Sequence, residues 1–217
     1  MWQTGEWPTT GTQSLVITLP KKGNLLQCQS YRTNSLISHT SRVMLKVILY
    51  KLKPQAEKIV AEEQASLRAG RSTTEQIFNL RILCEKYLQH QQNLYHVFID
   101  LEKAFDRVWH AALWATMKKY ISTNLIRVIK NLHDKATSAV LFNNSIEDWF
   151  RTTVRVRQGC LFSPTLFNIY LERITTDALE DHESTLGIRR RTITNLRFAD
   201  DINALAGEEE ELEKKKK

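Results

Sequence analysis

The sequence predicts an α+β fold, and three observations carry that reading. Apolar residues at helical spacing occupy segments set apart from the strands. Segments rich in Val, Ile and aromatic residues fall into neighbouring pairs joined by short turns, instead of alternating one by one with helices. Hydrophobic residues make up 42% of 217 residues and aromatics 9%, enough to bury a core and to exclude a wholly disordered chain.

Each element follows from local chemistry. Residues 14–19 read as a strand closed by Pro20-Lys21-Lys22-Gly23. Residues 41–52 have helical spacing, and Pro54 is placed to open a second helix to Gln64. Ala69-Gly70-Arg71 is a break, after which Ser72 or Thr73 caps a helix to Gln91. Its inner face is predicted to carry Ile77, Leu80, Leu83, Cys84, Tyr87 and Leu88. Residues 94–101 form a strand that ends at an acid, Asp100. Helices are expected over 107–120, capped by Asp106, and over 124–133. Strands at 139–142 and 149–156 are joined through Asn143-Asn144-Ser145. Ser163-Pro164 opens a helix to Leu179. Residues 192–199 are a strand, Asp200-Asp201 a turn, and 202–205 the returning strand.

Charge and cysteine usage narrow the function. The net charge is +7, and residues 200–217 are acidic on balance, so the excess lies in the body of the chain. That suits a polyanionic partner. Cys28, Cys84 and Cys160 form no C-x-x-C pair, which argues against a zinc site or a disulfide framework and fits a reducing intracellular compartment. No apolar run approaches the ~20 residues of a membrane span.

Three stretches can carry chemistry: residues 98–106 with Asp100, residues 157–164 with Gln158-Gly159, and residues 198–201 with Asp200-Asp201. A carboxylate at the end of an apolar strand is costly unless paired or metal-bound. Adjacent carboxylates repel unless a cation neutralises them, and hard divalent cations take oxygen ligands. Neighbours on a flat strand face opposite ways, so one of the adjacent pair should be the main ligand. Asp200 is the expected one, with Asp201 in support, and Asp106 is read as a helix cap. Each piece alone is ordinary: an Asp-Asp pair is most often a solvated turn.

Taken in order, the pieces resemble the reverse transcriptases of non-LTR (LINE-type) retrotransposons, over residues 20–207. The family's Asp, spacer and Ala-Phe-Asp stand at Asp100 to Asp106. Its Gln-Gly and Ser-Pro stand at Gln158 to Pro164, and its aromatic-x-Asp-Asp at Phe198 to Asp201. Tyr31-Arg32, Ser35-Leu36 and residues 64–74 resemble its fingers motifs. The resemblance implies a right-hand polymerase with fingers in residues 1–92, a palm in 93–207 and a charged tail in 208–217.

It implies that Asp100, Asp200 and Asp201 hold two Mg²⁺ ions, with Mn²⁺ as a substitute. Phe105 would exclude a 2′-hydroxyl, Gln158 and Gly159 would line the nucleotide, and Arg68 and Arg71 would reach the triphosphate. The partners would be an RNA template, a DNA primer and dNTPs, in the nucleus and cytoplasm. A bulky Phe105 disfavours an RNA-dependent RNA polymerase, and the wording of residues 64–74 and 98–110 fits the LINE type better than a group II intron maturase.

The family normally carries Gly-Phe where this chain has Ser66-Leu67, and Gly where it has Arg155. His133 stands where Tyr is usual and Asn203 where an acid is common; a residue is missing near Tyr120-Ile121. The family continues past this chain's end into a helical thumb, so a truncated copy is expected. A catalytically silent nucleic-acid-binding module is the alternative from another class.

Overall fold

The computed structural model describes residues 2, 4–102, 104–151, 160–179, 187–188 and 191–210. In chain order these form a short helix α1 (Thr9–Thr12), strands β1 (Gln13–Pro20) and β2 (Tyr31–Leu36), helices α2 (His39–Ala56) and α3 (Thr73–Gln89), and strand β3 (Tyr95–Asp100). Helices α4 (His110–Tyr120) and α5 (Thr123–Asp134) follow, then strands β4 (Thr137–Phe142), β5 (Ser145–Ile146) and β6 (Phe150–Arg151). Helix α6 (Ser163–Leu179) precedes β7 (Gly187–Ile188), β8 (Arg191–Thr192), β9 (Asn195–Phe198) and β10 (Asp201–Ala206).

The chain divides into two discontinuous units, residues 1–59 with 105–170 and residues 60–104 with 171–217.

In the first unit a sheet is ordered β2-β1-β4-β5, with β6 pairing β4. β1 is antiparallel to β2 but parallel to β4. The long excursion between β1 and β4 returns the chain in the same direction, so this sheet is mixed. Ser14 and Ser138 are register partners in that parallel pair, and their hydroxyls meet at 3.0 Å. The core gathers Leu45, Ile48 and Leu52 of α2, Leu113 and Met117 of α4, and Leu125, Ile129 and Leu132 of α5. The α5 residues recur at three and four positions, one face of a helix.

Local differences from the sequence reading have local causes. Ser38 caps α2 by accepting from the Ser41 N–H at 3.1 Å, and the helix runs through Pro54 to Ala56. Pro54 lies in the last turn, where its missing N–H removes one hydrogen bond near the helix end, and it opens no second helix. α4 starts at His110 with Trp109 in the N-cap position, and Asp106 falls in a separate 3₁₀ turn, Ala104–Arg107. The β4 hairpin closes within two residues, Asn143 and Asn144, both at positive φ (47° and 64°). That backbone matches strand twist, so the turn leads directly into the short β5, while β6, inside the strand expected over 149–156, pairs with β4 farther along. The far part of that expected strand, 152–156, lies outside the described residues.

The second unit holds the sheet β3-β10-β9, antiparallel throughout. Ser72 caps α3 by accepting from the Glu75 N–H at 3.3 Å. α3 packs Leu83 and Tyr87 against Leu196 and Leu205, with Leu80 partly buried beside them. Ile77 and Leu88, expected on that inner face, are mostly exposed. On the opposite face of the sheet Ala204 and Ala206 pack with Tyr95, Val97 and Ile99.

Leu83 is fully buried and central to this cluster. Leu83→Ala is expected to cost about 2–5 kcal/mol, by lost transfer energy and a residual cavity. A urea titration followed by far-UV circular dichroism checks this; a shift under 1 kcal/mol would mean the cluster is loosely packed.

Candidate functional site

The turn between β9 and β10 decides where the acids stand. Sequence reasoning placed it at Asp200-Asp201. The structure places it one residue earlier, at Ala199-Asp200, because Phe198 and Asp201 are register partners. Since side chains alternate along a strand, a one-residue shift changes which acid belongs to the ladder. Asp201 becomes the first residue of β10, directly opposite Asp100 at the end of β3.

Residues directly opposite each other in an antiparallel pair project to the same side of the sheet. Asp100 shares its face with Phe98, and Asp201 shares it with Asn203. Both carboxylates are exposed, and they look onto an open cleft lined also by Phe98, Phe198 and the first turns of α3. Asn203 is buried there, and neither amide atom has a partner among the described residues. Asp200 is half-buried in the turn itself.

The fingers-type arginines belong to the same unit, and each is held by its own neighbourhood. Arg68 Nη1 donates to the carbonyls of Ala61 at 2.6 Å and Gln64 at 3.2 Å, bracing the segment that leads to it. Arg71 Nη1 meets Glu75 Oε1 at 2.6 Å, one helical turn on. Phe105 belongs to the other unit, where its ring stacks on buried Phe167 at 4.3 Å and 22°. Gln158, Gly159 and Arg155 lie outside the described residues. His133, at the position where Tyr is usual, is buried; its Nδ1 donates to the Ile129 carbonyl at 2.9 Å and its ring meets Trp114 edge-on.

Two groups escaped sequence reasoning. Gln64 is 1% exposed, and its amide reaches Ala199, 135 residues away. Arg197, on the face opposite Asp201, is 2% exposed and pairs with Glu172 Oε2 at 3.2 Å. Glu172 also accepts from the Ala61 N–H at 2.9 Å. A Gln at the start of a recognised motif and an Arg inside a strand pattern were visible. Their partners, far away in sequence, were not.

The donor set suits a hard cation. Two facing carboxylates offer only oxygen, and a Mg²⁺-like ion is commonly held by one or two carboxylates, with substrate phosphates and water completing the shell. Among the described residues no three His, Cys, Asp or Glu side chains gather into a closed cage. An open site of this kind leaves room for a phosphate.

Residues 19–217 match the reverse transcriptase (RNA-dependent DNA polymerase) family, and the chain belongs to that family, in which divalent metal ions serve the reaction. Relatives include an uncharacterised 149 kDa protein of transposon TX1 from Xenopus laevis, 29% identical over 77% of this chain and 13% of its own length. The RNA-directed DNA polymerase from mobile element jockey of Drosophila melanogaster is 24% identical over 93% of this chain and 22% of its own length. The chain thus spans about a fifth or less of these two relatives. Apo telomerase from Candida tropicalis, truncated from its C-terminal domain, shares the fold: TM-score 0.68 at 17% identity, over 97% of this chain and 47% of that one. Telomerase from the same species in complex with a fragment of telomeric RNA gives 0.67 at 16%, over 94% and 37%. The α+β fingers-and-palm architecture is therefore that of a reverse transcriptase.

Like charges directly across a strand pair are destabilising, by about 0.2–1 kcal/mol. Asp201→Asn is therefore expected to raise the stability of the metal-free chain by that amount, and Asp201→Ala to do the same. Differential scanning calorimetry in the presence of a chelator reads the difference; a lowered melting temperature for both variants would contradict the facing arrangement.

Proposed function

We propose that this chain is the polymerase core of a non-LTR retrotransposon reverse transcriptase and extends a DNA primer on an RNA template with dNTPs. The observation that carries the reading is the register of β3 against β10, which sets Asp100 and Asp201 side by side at an open cleft, with Asp200 in the adjoining turn. Membership of the reverse transcriptase family and the jockey relatives support the same reaction.

Asp100 and Asp201, with Asp200, would hold divalent cations, Mg²⁺ first and Mn²⁺ as a substitute. A cation bound there would neutralise the incoming triphosphate and lower the barrier to attack by the primer hydroxyl. The protein's own task is mainly placement, because phosphoryl transfer is driven by positioning and charge neutralisation. The strand ends hold the carboxylates at a fixed spacing. The stack on Phe167 fixes Phe105, whose ring would exclude a 2′-hydroxyl and so select deoxynucleotides. Gln158 and Gly159 would line the nucleotide. Arg68 and Arg71 would meet the triphosphate, Arg71 by leaving Glu75, since a guanidinium fork suits phosphate as well as carboxylate. The basic excess of the chain would follow the template–primer backbone, with binding that weakens steeply as salt rises.

Primer extension on an RNA template tests the proposal. The chain should incorporate dNTPs, and Asp200→Asn should lower the rate by about 1,000-fold or more, while leaving RNA binding unchanged. RNA binding without extension by the unaltered chain would instead establish a silent binding module. A second arm reads selectivity: Phe105→Ala should admit NTPs that the unaltered chain rejects, and unchanged discrimination would remove Phe105 from the nucleotide site.

A further inference from the structure

The Ala199-Asp200 turn carries a conformational cost. Ala199 has φ +57°, the left-handed region, which an L residue with a Cβ adopts at roughly 1–2 kcal/mol. Nothing in Phe-Ala-Asp-Asp offers Gly or Asn at that position. A backbone held there persists only where its surroundings over-determine it.

The surroundings are specific. Gln64 Oε1 accepts from the Ala199 N–H at 3.0 Å, and Gln64 Nε2 donates to the Ala199 carbonyl at 3.2 Å. One side-chain amide thus satisfies both backbone groups of the left-handed residue. The same Oε1 accepts from the Ser66 N–H at 3.0 Å, so two N–H donors and one carbonyl fix which way the amide points. No other side chain of that length offers a donor and an acceptor at one end.

Gln64 is itself held rigidly. Its segment runs along the outer edge of β9 as a parallel bridge, Gln64 opposite Arg197. The Arg197 N–H donates to the Glu63 carbonyl at 2.9 Å, and the Ala65 N–H to the Arg197 carbonyl at 3.0 Å. Gln76 of α3 donates to the Glu63 carbonyl at 2.9 Å, and Arg68 caps the Ala61 and Gln64 carbonyls from within. Glu172 of α6 accepts from Ala61 and pairs with Arg197. The segment is braced from α3, from α6 and from β9 before it reaches the turn.

We infer that Gln64 is a positioning residue: its amide clamps Ala199 and thereby sets the geometry of Asp200 and Asp201 against Asp100. The inference rests on the reading that these carboxylates hold the divalent cation. It deepens that reading by assigning the spacing of the ligands to a buried residue that acts through the turn.

Two variants of the full chain test it. Gln64→Met keeps the length and removes the clamp. Gln64→Glu keeps size and an acceptor but turns an oxygen toward the Ala199 carbonyl, and it serves where Gln64→Met fails to fold. The first readout is amide hydrogen exchange at Ala199, resolved by NMR. It should accelerate about tenfold or more in either variant, while fully buried Leu205 near the far end of β10 stays protected. The second is the Mn²⁺ concentration giving half-maximal primer extension, expected to rise about tenfold with RNA affinity unchanged. Leu83→Ala supplies a chain destabilised in the same unit with the clamp intact, and its Mn²⁺ dependence should stay that of the unaltered chain.

Unchanged Ala199 exchange in both variants would overturn the clamp. Faster exchange with an unaltered Mn²⁺ requirement, or the same rise in Leu83→Ala, would overturn its positioning role. Should the unaltered chain extend no primer, the polymerase reading fails and the positioning role fails with it. Ala199 exchange then still decides whether Gln64 clamps the turn.

Discussion

The antiparallel register of β3 against β10 is the constraint on which the site depends. Asp201 lies opposite Asp100, Ile202 opposite Ile99 and Ala204 opposite Val97. A shift of one residue would turn Ile202 and Ala204 to the cleft and the carboxylate into the sheet's packed side. Burial pins the register on both faces: Leu196 and Leu205 must meet α3, while Ala204 and Ala206 pack with Val97 and Ile99. The hydrophobic pattern of a few strand residues therefore fixes the position of two charges that would otherwise repel.

Stability and function pull apart at this point. Facing carboxylates, a left-handed Ala199 and a buried Asn203 with no partner among the described residues each cost the folded state. Strain of this kind is characteristic of sites where geometry is put to chemical use. The offset comes from nearby packing and from the braced segment 61–66, whose hydrogen bonds run to α6, α3 and the β9–β10 turn.

Much of this was legible in the sequence. The ends of β1, α3, β3 and α6 lie within two residues of the expected ones, because Pro20, Ser72, Asp100 and Ser163-Pro164 are strong local signals. The two acid-bearing stretches and the Gln158-Gly159 stretch between them were identifiable, and their order resembles the family's. The turn was misplaced by one residue for a physical reason. Turn chemistry favours Asp over Ala at positive φ, and the Gln64 side chain that hydrogen-bonds Ala199 lies 135 residues away. Pro54 was misread because a proline in a last helical turn and one in a first turn look alike in isolation. The parallel pairing of β1 with β4 had no local signal, since strand direction across a long excursion is a tertiary property.

The central claim is that Asp100 and Asp201, brought together across β3 and β10, form one site for a hard divalent cation. Mn²⁺ binding to the full chain, followed by loss of the free-ion electron paramagnetic resonance signal, tests it most directly. The account predicts saturable binding that Asp100→Asn and Asp201→Asn each weaken by about tenfold or more, since each removes a charged ligand. Binding left intact by both substitutions would contradict it.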